Sequence, residues 1–306
     1  MSSVHTAFTV VAPVILLICL GKLLAKLNVI QPDFVTAANK LAYQVTLPGL
    51  LFTAISQADM FSLFDSKMML AGLLGSLLSF LLLLIGTGWM KVPHLQRGVV
   101  VQAGFRANMG IVGLAICKGL LGSSGLALAS VYLGFIVPLF NFLAVWVLLL
   151  FSTTYISQGK ILQEVFKSPL VIAVCLALPV SLLAIPIPTV LLKTGELIGQ
   201  VTLPLALLCI GATIKFGDMR KRVRLLTVIT LAKCFAYPAI VLFFGLMFAL
   251  EDNALVVLLL LSVAPTATAS FPATQQLGGD KVLAADAIAL TTVLCLPLYM
   301  LIIAFL

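Results

Sequence analysis

Gln44-Val45-Thr46-Leu47-Pro48 and Gln200-Val201-Thr202-Leu203-Pro204 spell one pentapeptide, QVTLP, twice in the same chain. Each copy interrupts a long apolar run, where Gln, Thr and Pro are poor choices. At the same spacing Pro13 maps to Pro169, Cys19 to Cys175 and Leu51 to Leu207, and with a small slip Pro138 maps to Pro297. Leucine matches are cheap in an apolar chain. Gln, Thr, Pro and Cys in constant order are not, so the chain reads as two related halves.

The surroundings of the pentapeptide set the class. Of 306 residues, 62% are hydrophobic and 9% charged, with mean hydropathy +1.23. A soluble domain carries about 25% charged residues, so this chain lacks the polar surface a water-soluble globule needs. Runs of about 20 apolar residues, the length that crosses a bilayer as helix, recur end to end. The expected fold class is an all-α polytopic membrane protein. A transmembrane barrel would show strands of about ten residues with alternating polarity instead. No cleavable leader pattern precedes the first apolar run.

Apolar runs and polar breaks mark ten spans, near 7–27, 36–57, 67–90, 97–121, 125–151, 168–185, 190–214, 225–250, 254–276 and 281–306. Their connections are short and leave no room for an extramembrane domain. Residues 1–151 form a first five-helix repeat, 152–167 a cytoplasmic linker and 168–306 a second repeat. Five is odd, so the second repeat enters the membrane from the opposite side. Such inverted repeats are common in secondary transporters, whose sites lie where the halves meet.

Basic residues give the orientation. One set of alternate loops holds thirteen Lys and Arg, the other three, namely Lys67, Lys118 and Lys193. Basic loops stay cytoplasmic, which places both termini outside a plasma membrane, the inner membrane of a bacterium. The same bias accounts for the net charge of +8 without any nucleic-acid partner. The six cysteines lie in apolar runs with no CxxC spacing and read as packing residues; no metal or other cofactor is expected.

Two spans contain too much that disfavours helix. QAGFRANMGIVG, residues 102–113, carries Gly104, Gly110 and Gly113 with Gln102, Arg106 and Asn108. SVAPTATASFPATQQ, residues 262–276, carries Pro265 and Pro272 with Thr266, Thr268 and Ser270. They occupy matching positions in the two halves. Proline removes a donor and clashes with the preceding turn, and glycine weakens a helix by about 1 kcal/mol. Backbone freed at membrane depth must be buried in protein or line a wet cavity. The fourth and ninth helices are therefore expected to break and cross. Their half-helix N-termini suit an anion.

The candidate substrate-binding set is Gly104, Arg106, Asn108 and Gly110 of the fourth span, Pro265, Thr266, Thr268, Ser270 and Pro272 of the ninth, and the Gln, Thr and Pro of both QVTLP copies. Gln44, Thr46 and Pro48 with Gln200, Thr202 and Pro204 either face the crossing or repair their own proline kinks. Arg106 and Lys233 are cations within spans, at about 2.5–3.5 kcal/mol for a charge at mid-membrane on insertion scales. Asp286 is the clearest intramembrane acid. Either an anionic substrate answers Arg106, or Arg106 pairs with Asp286 while Lys233 snorkels to the interface. Asn108 offers two amide donors to a carboxylate without demanding a counter-ion. Asp286 is also the candidate for proton coupling.

Enzyme readings fail on residue inventory. GSSG at 122–125 resembles an intramembrane serine-protease stretch, but the two histidines, His5 and His94, fall outside the spans on opposite sides. There is no HExxH and no Gly-rich nucleotide loop with Lys.

QVTLPGLLF, FRANMGIVGLA, PLALLCIGATI and APTATASFPATQQLGGD resemble motifs of the auxin efflux carrier family, in order along nearly the whole chain. The family includes bacterial malonate and other organic-acid carriers and the plant auxin exporters. The resemblance implies a scaffold part, a transport part, and broken helices 4 and 9 crossing at the substrate site. It also implies that Asn108 holds a substrate carboxylate, and that Pro265 and Pro272 match the two prolines of the plant ninth-helix motif. Where the plant motif has Pro before the Asn, this chain has Arg106 two residues before it. That favours a more strongly anionic substrate, such as a dicarboxylate. The long cytoplasmic loop of some plant members is absent.

The resulting expectation is a secondary carrier of small organic anions working by alternating access, uncoupled or proton-coupled in preference to sodium-coupled. Its partners are the anion and membrane lipid, and a homodimer is compatible with the sequence. A sodium-coupled symporter of the bile-acid type and an anion channel are the alternatives.

Overall fold

The computed structural model describes residues 3–57, 65–152, 169–214 and 219–305, all helical or in short connections. The helices are α1 (Ser3–Lys26), α2 (Pro32–Leu41), α3 (Leu47–Ser56), α4 (Ser66–Trp89), α5 (His94–Phe105), α6 (Leu114–Leu150), α7 (Pro169–Leu182) and α8 (Thr189–Thr213). They continue with α9 (Val223–Leu231), α10 (Tyr237–Met247), α11 (Asp252–Val263), α12 (Ser270–Gln276) and α13 (Lys281–Phe305). π-helical turns at Ala42–Thr46, Met109–Gly113 and Ala232–Ala236 join α2 to α3, lead into α6, and join α9 to α10.

Among the described residues, six helical stretches are long and apolar enough to cross a bilayer: His5–Lys26, Ser66–Trp89, Met109–Leu150, Thr189–Thr213, Met219–Met247 and Lys281–Phe305. The protein is thus a polytopic helical membrane protein. The Met109–Leu150 stretch has 42 residues. At 1.5 Å per residue that is about 63 Å, twice a hydrocarbon core of about 30 Å. It bends at Gly122, whose φ of 65° and ψ of −146° only glycine reaches without strain. Of the expected linker 152–167, all but Ser152 lies outside the described residues.

Burial follows the demands of a lipid solvent. Leu16, Leu82, Phe243 and Leu301 are exposed, forming apolar surface that suits acyl chains and not water. The interior is built on α5 and α11. Val99, Val100, Val101, Ala103 and Phe105 of α5, and Val257, Leu260, Leu261 and Val263 of α11, are fully buried. α4 packs on α5 and α10, α10 packs on α11, and α1 and α3 pack on α8. Between α1 and α8 the backbones nearly touch: a Cβ on Gly21 would meet the Leu208 carbonyl oxygen at 2.1 Å, and one on Gly211 the Ile18 carbonyl oxygen at 1.9 Å. Small residues at such contacts let helices associate where no hydrophobic drive separates protein from lipid.

Candidate functional site

The chain after α5 leaves helical geometry at Arg106, with φ −75° and ψ 102°, and Asn108 follows at φ −79° and ψ 57°. After α11 it does so at Ala264, with φ −51° and ψ 142°. Glycine and polar residues in the first segment, and Pro265 in the second, leave little to hold a helix there. The two interruptions find each other. Ala107 and Thr266 form a single antiparallel bridge. The Asn108 amide donates to the Pro265 carbonyl at 2.7 Å, and the Ala267 amide donates to the Arg106 carbonyl at 2.9 Å. Backbone groups released by one break are thereby satisfied by the other, as an interior without water requires.

Side chains complete the junction. The Thr266 hydroxyl donates to the Ala103 carbonyl at 2.8 Å, in the last turn of α5, where carbonyls outrun helical donors. The Thr266 amide donates to Thr291 Oγ1 of α13 at 3.1 Å. Gln102 Nε2 donates to Thr274 Oγ1 at 3.2 Å and to the Ser270 carbonyl at 3.3 Å. Gln102, Thr274 and Thr291 had no place in the sequence-based set, although each is a polar residue in an apolar span.

Arg106 is 9% exposed and donates to Asn141 Oδ1 of α6 at 2.5 Å. Among the described residues it forms no ion pair. The alternative pairing with Asp286 is not made. Asp286, 3% exposed, instead lies 3.3 Å from Nη1 of Arg222, which reaches in from the turn before α9. Arg222 Nε lies 3.8 Å from Asp280, whose carboxylate also accepts from Gln96 Nε2 at 2.9 Å. A loop-edge guanidinium thus captures the acid that sequence reasoning left for Arg106. Asn141 was legible only as a lone amide among Phe and Leu.

The residues around the two interruptions also hold buried polar atoms without hydrogen-bond partners among the described residues: Asn108 Nδ2, Gln102 Oε1 and Ser270 Oγ. Gly104 is buried in α5, and Gly110 is half-buried in the π-turn behind Asn108. Pro265 is buried, Thr268 is half-buried, and Pro272 is exposed on α12.

The pentapeptide splits. Thr46 and Thr202 are buried, and neither hydroxyl has a partner among the described residues, so they do not repair proline kinks by local bonds. Gln44, Gln200 and Pro204 are exposed and Pro48 is half-buried, so both glutamines point away from the packed interior. The copies also differ in backbone. The first runs through the π-turn Ala42–Thr46, whereas the second lies within the unbroken α8. Lys233 does not snorkel: it is 0% exposed, and its ammonium donates to the Ser262 carbonyl at 2.6 Å.

Fold and junction together define a multi-pass helical membrane protein whose two interrupted helices clasp each other in a polar, cationic interior. Its sequence matches the family model described as membrane transport protein twice, over residues 6–163 and 152–303, and the chain belongs to that family, the auxin efflux carriers. It is also 25% identical, over 221 residues and 70% of each chain, to an uncharacterized transporter of Methanothermobacter thermautotrophicus. The protein is therefore a membrane transport protein and not an enzyme.

Proposed function

We propose that the protein is a secondary carrier of small organic anions, mono- or dicarboxylates such as malonate, binding them at the α5–α11 junction and moving them by alternating access. The observation that carries this reading is Arg106: a buried guanidinium whose side chain bonds the neutral Asn141, with no carboxylate paired to it among the described residues. A buried cation needs a compensating charge, and a substrate carboxylate supplies one. Asn108 Nδ2 and Ser270 Oγ are unpartnered polar atoms in the same region, available to the remaining carboxylate oxygens. The positive end of the helix that starts at Met109 favours the same charge.

The architecture in this reading is ten spans in two inverted five-span repeats, 1–151 and 168–306, around the linker 152–167. Support comes from the twofold family match and from the Met109–Leu150 stretch, long enough for two crossings. The thirteen-to-three distribution of basic residues favours termini outside a plasma membrane, the inner membrane in a bacterium. Transport is uncoupled or proton-driven, with Asp286 beside Arg222 as the proton site.

The test is uptake of labelled mono- and dicarboxylates into proteoliposomes under imposed proton or sodium gradients. Saturable uptake with counter-exchange is expected, and lost in Arg106→Gln. Sodium-dependent uptake would indicate a symporter of the bile-acid type, and currents far above carrier rates a channel. Failure of every carboxylate to move, or wild-type uptake by Arg106→Gln, refutes the proposal.

A further inference from the structure

Lys233 is a cation that neither the anion site nor the ion pairs among the described residues use. It sits in the π-turn Ala232–Ala236, and such turns inside helices occur frequently at functional sites. Its ammonium donates to the Ser262 carbonyl at 2.6 Å and lies 4.6 Å from the centre of the Tyr237 ring. Ser262 belongs to the last turn of α11, just before the interruption at Ala264. Carbonyls there have no donor one turn on, and the negative end of the helix dipole gathers on them. The chain answers them one at a time. The Tyr299 hydroxyl donates to the Leu260 carbonyl at 2.8 Å, the Ala264 amide to Leu261 at 3.4 Å, and Lys233 to Ser262.

Elsewhere cations also meet helix carbonyls, but near the periphery. Lys22 donates to the Ile214 carbonyl at the end of α8, and Arg97 donates to the Leu84 carbonyl of α4 at 2.9 Å. Lys233 differs in being wholly buried at an interrupted helix. Free carbonyls at half-helix C-termini are where membrane carriers bind coupling sodium. We infer that the Lys233 ammonium is a tethered monovalent cation, filling at the end of α11 the place a sodium ion from solution would take. It gives the junction its cation permanently, so the fold has no need of sodium there. The inference adds a reason for sodium independence to the proposed carrier, and rests on that reading only for the transport consequence.

Its test needs no substrate. Lys233→Ala removes the three outer methylenes and the ammonium, the atoms of propylammonium. The purified variant is melted in detergent in choline, sodium or propylammonium chloride at equal ionic strength. The wild-type protein is expected to melt alike in all three. Lys233→Ala is expected to melt lower in choline and to recover on the order of 5 °C in both sodium and propylammonium. Lys233→Met, which fills the stem's space without charge, is expected to melt low in every salt. A response to propylammonium alone, no response, an equal response in Lys233→Met, or a Lys233→Ala chain that cannot be isolated in any of the salts overturns the inference. None of these outcomes depends on which anion is carried, so they stand apart from failure of the uptake assay.

Discussion

Thr266→Val is the sharpest probe of the junction. Valine has nearly the shape of threonine, so no cavity opens and no atom is crowded. What disappears is one donor. Thr266 is 0% exposed and its hydroxyl donates to the Ala103 carbonyl at 2.8 Å. With the hydroxyl gone, that carbonyl is left buried in the last turn of α5 without a side-chain partner. An orphaned buried acceptor costs about 1–3 kcal/mol. At about 2–4 °C per kcal/mol for a chain of a few hundred residues, melting should fall by roughly 2–12 °C. Trp146, whose ring lies 5.7 Å from Phe80 in the core, reports unfolding in detergent. Thr268→Val, two residues on and half-buried, is the control. Thr268 makes no side-chain hydrogen bond among the described residues, and its substitution should stay within about 0.5 kcal/mol. Thr266→Ser restores the donor and should recover most of the loss. Hydrogen exchange at Arg106–Asn108 should quicken in Thr266→Val alone. Equal melting of the Thr266→Val and Thr268→Val proteins would show that the hydroxyl does not hold the two interruptions together.

Three further outcomes follow from particular contacts. Arg106→Gln should weaken carboxylate binding about 10- to 150-fold, the equivalent of one charge-assisted hydrogen bond of roughly 1.5–3 kcal/mol, with melting unchanged or raised; titration calorimetry of the purified protein reads the binding and a thermal melt in detergent the stability. Gly211→Ala should destabilise by at least about 1–3 kcal/mol, because its Cβ would sit 1.9 Å from a backbone oxygen of α1, while Gly86→Ala, which meets nothing within 4 Å, should be neutral in the same melts. Asp280→Ala should cost about 0.5–2 kcal/mol, since its carboxylate accepts from the Val282 and Leu283 amides at 3.1 and 3.0 Å at the start of α13; Asp280→Asn, which keeps the cap, should lose less, and less still at high salt.

Composition and the positions of Gly, Pro and polar residues were enough to read the class and the places where helices fail. A bilayer is a simple solvent: it demands long apolar helices and punishes every loose backbone group, so departures stand out in one dimension. The interruptions after Phe105 and after Val263 were legible for that reason. So was the candidacy of Arg106, a charge where charge is expensive. Which groups answer these exceptions was not legible. Arg106 bonds Asn141, 35 positions away, and Asp286 is taken by Arg222, 64 positions away. Lys233 turns inward to Ser262, although its long stem would equally allow an outward reach.

QVTLP itself marks the boundary between the two kinds of information. One pentapeptide runs through a π-turn in its first copy and lies in an unbroken α-helix in its second, with Thr buried and Gln exposed in both. Local propensity is the same in both places and cannot choose. Helical spacing alone decides which faces Gln and Thr take, and the sequence carries that. The surroundings of each helix decide how its backbone accommodates the proline, because differences in packing outweigh the small energy separating one turn from the other. Only the folded chain supplies those surroundings.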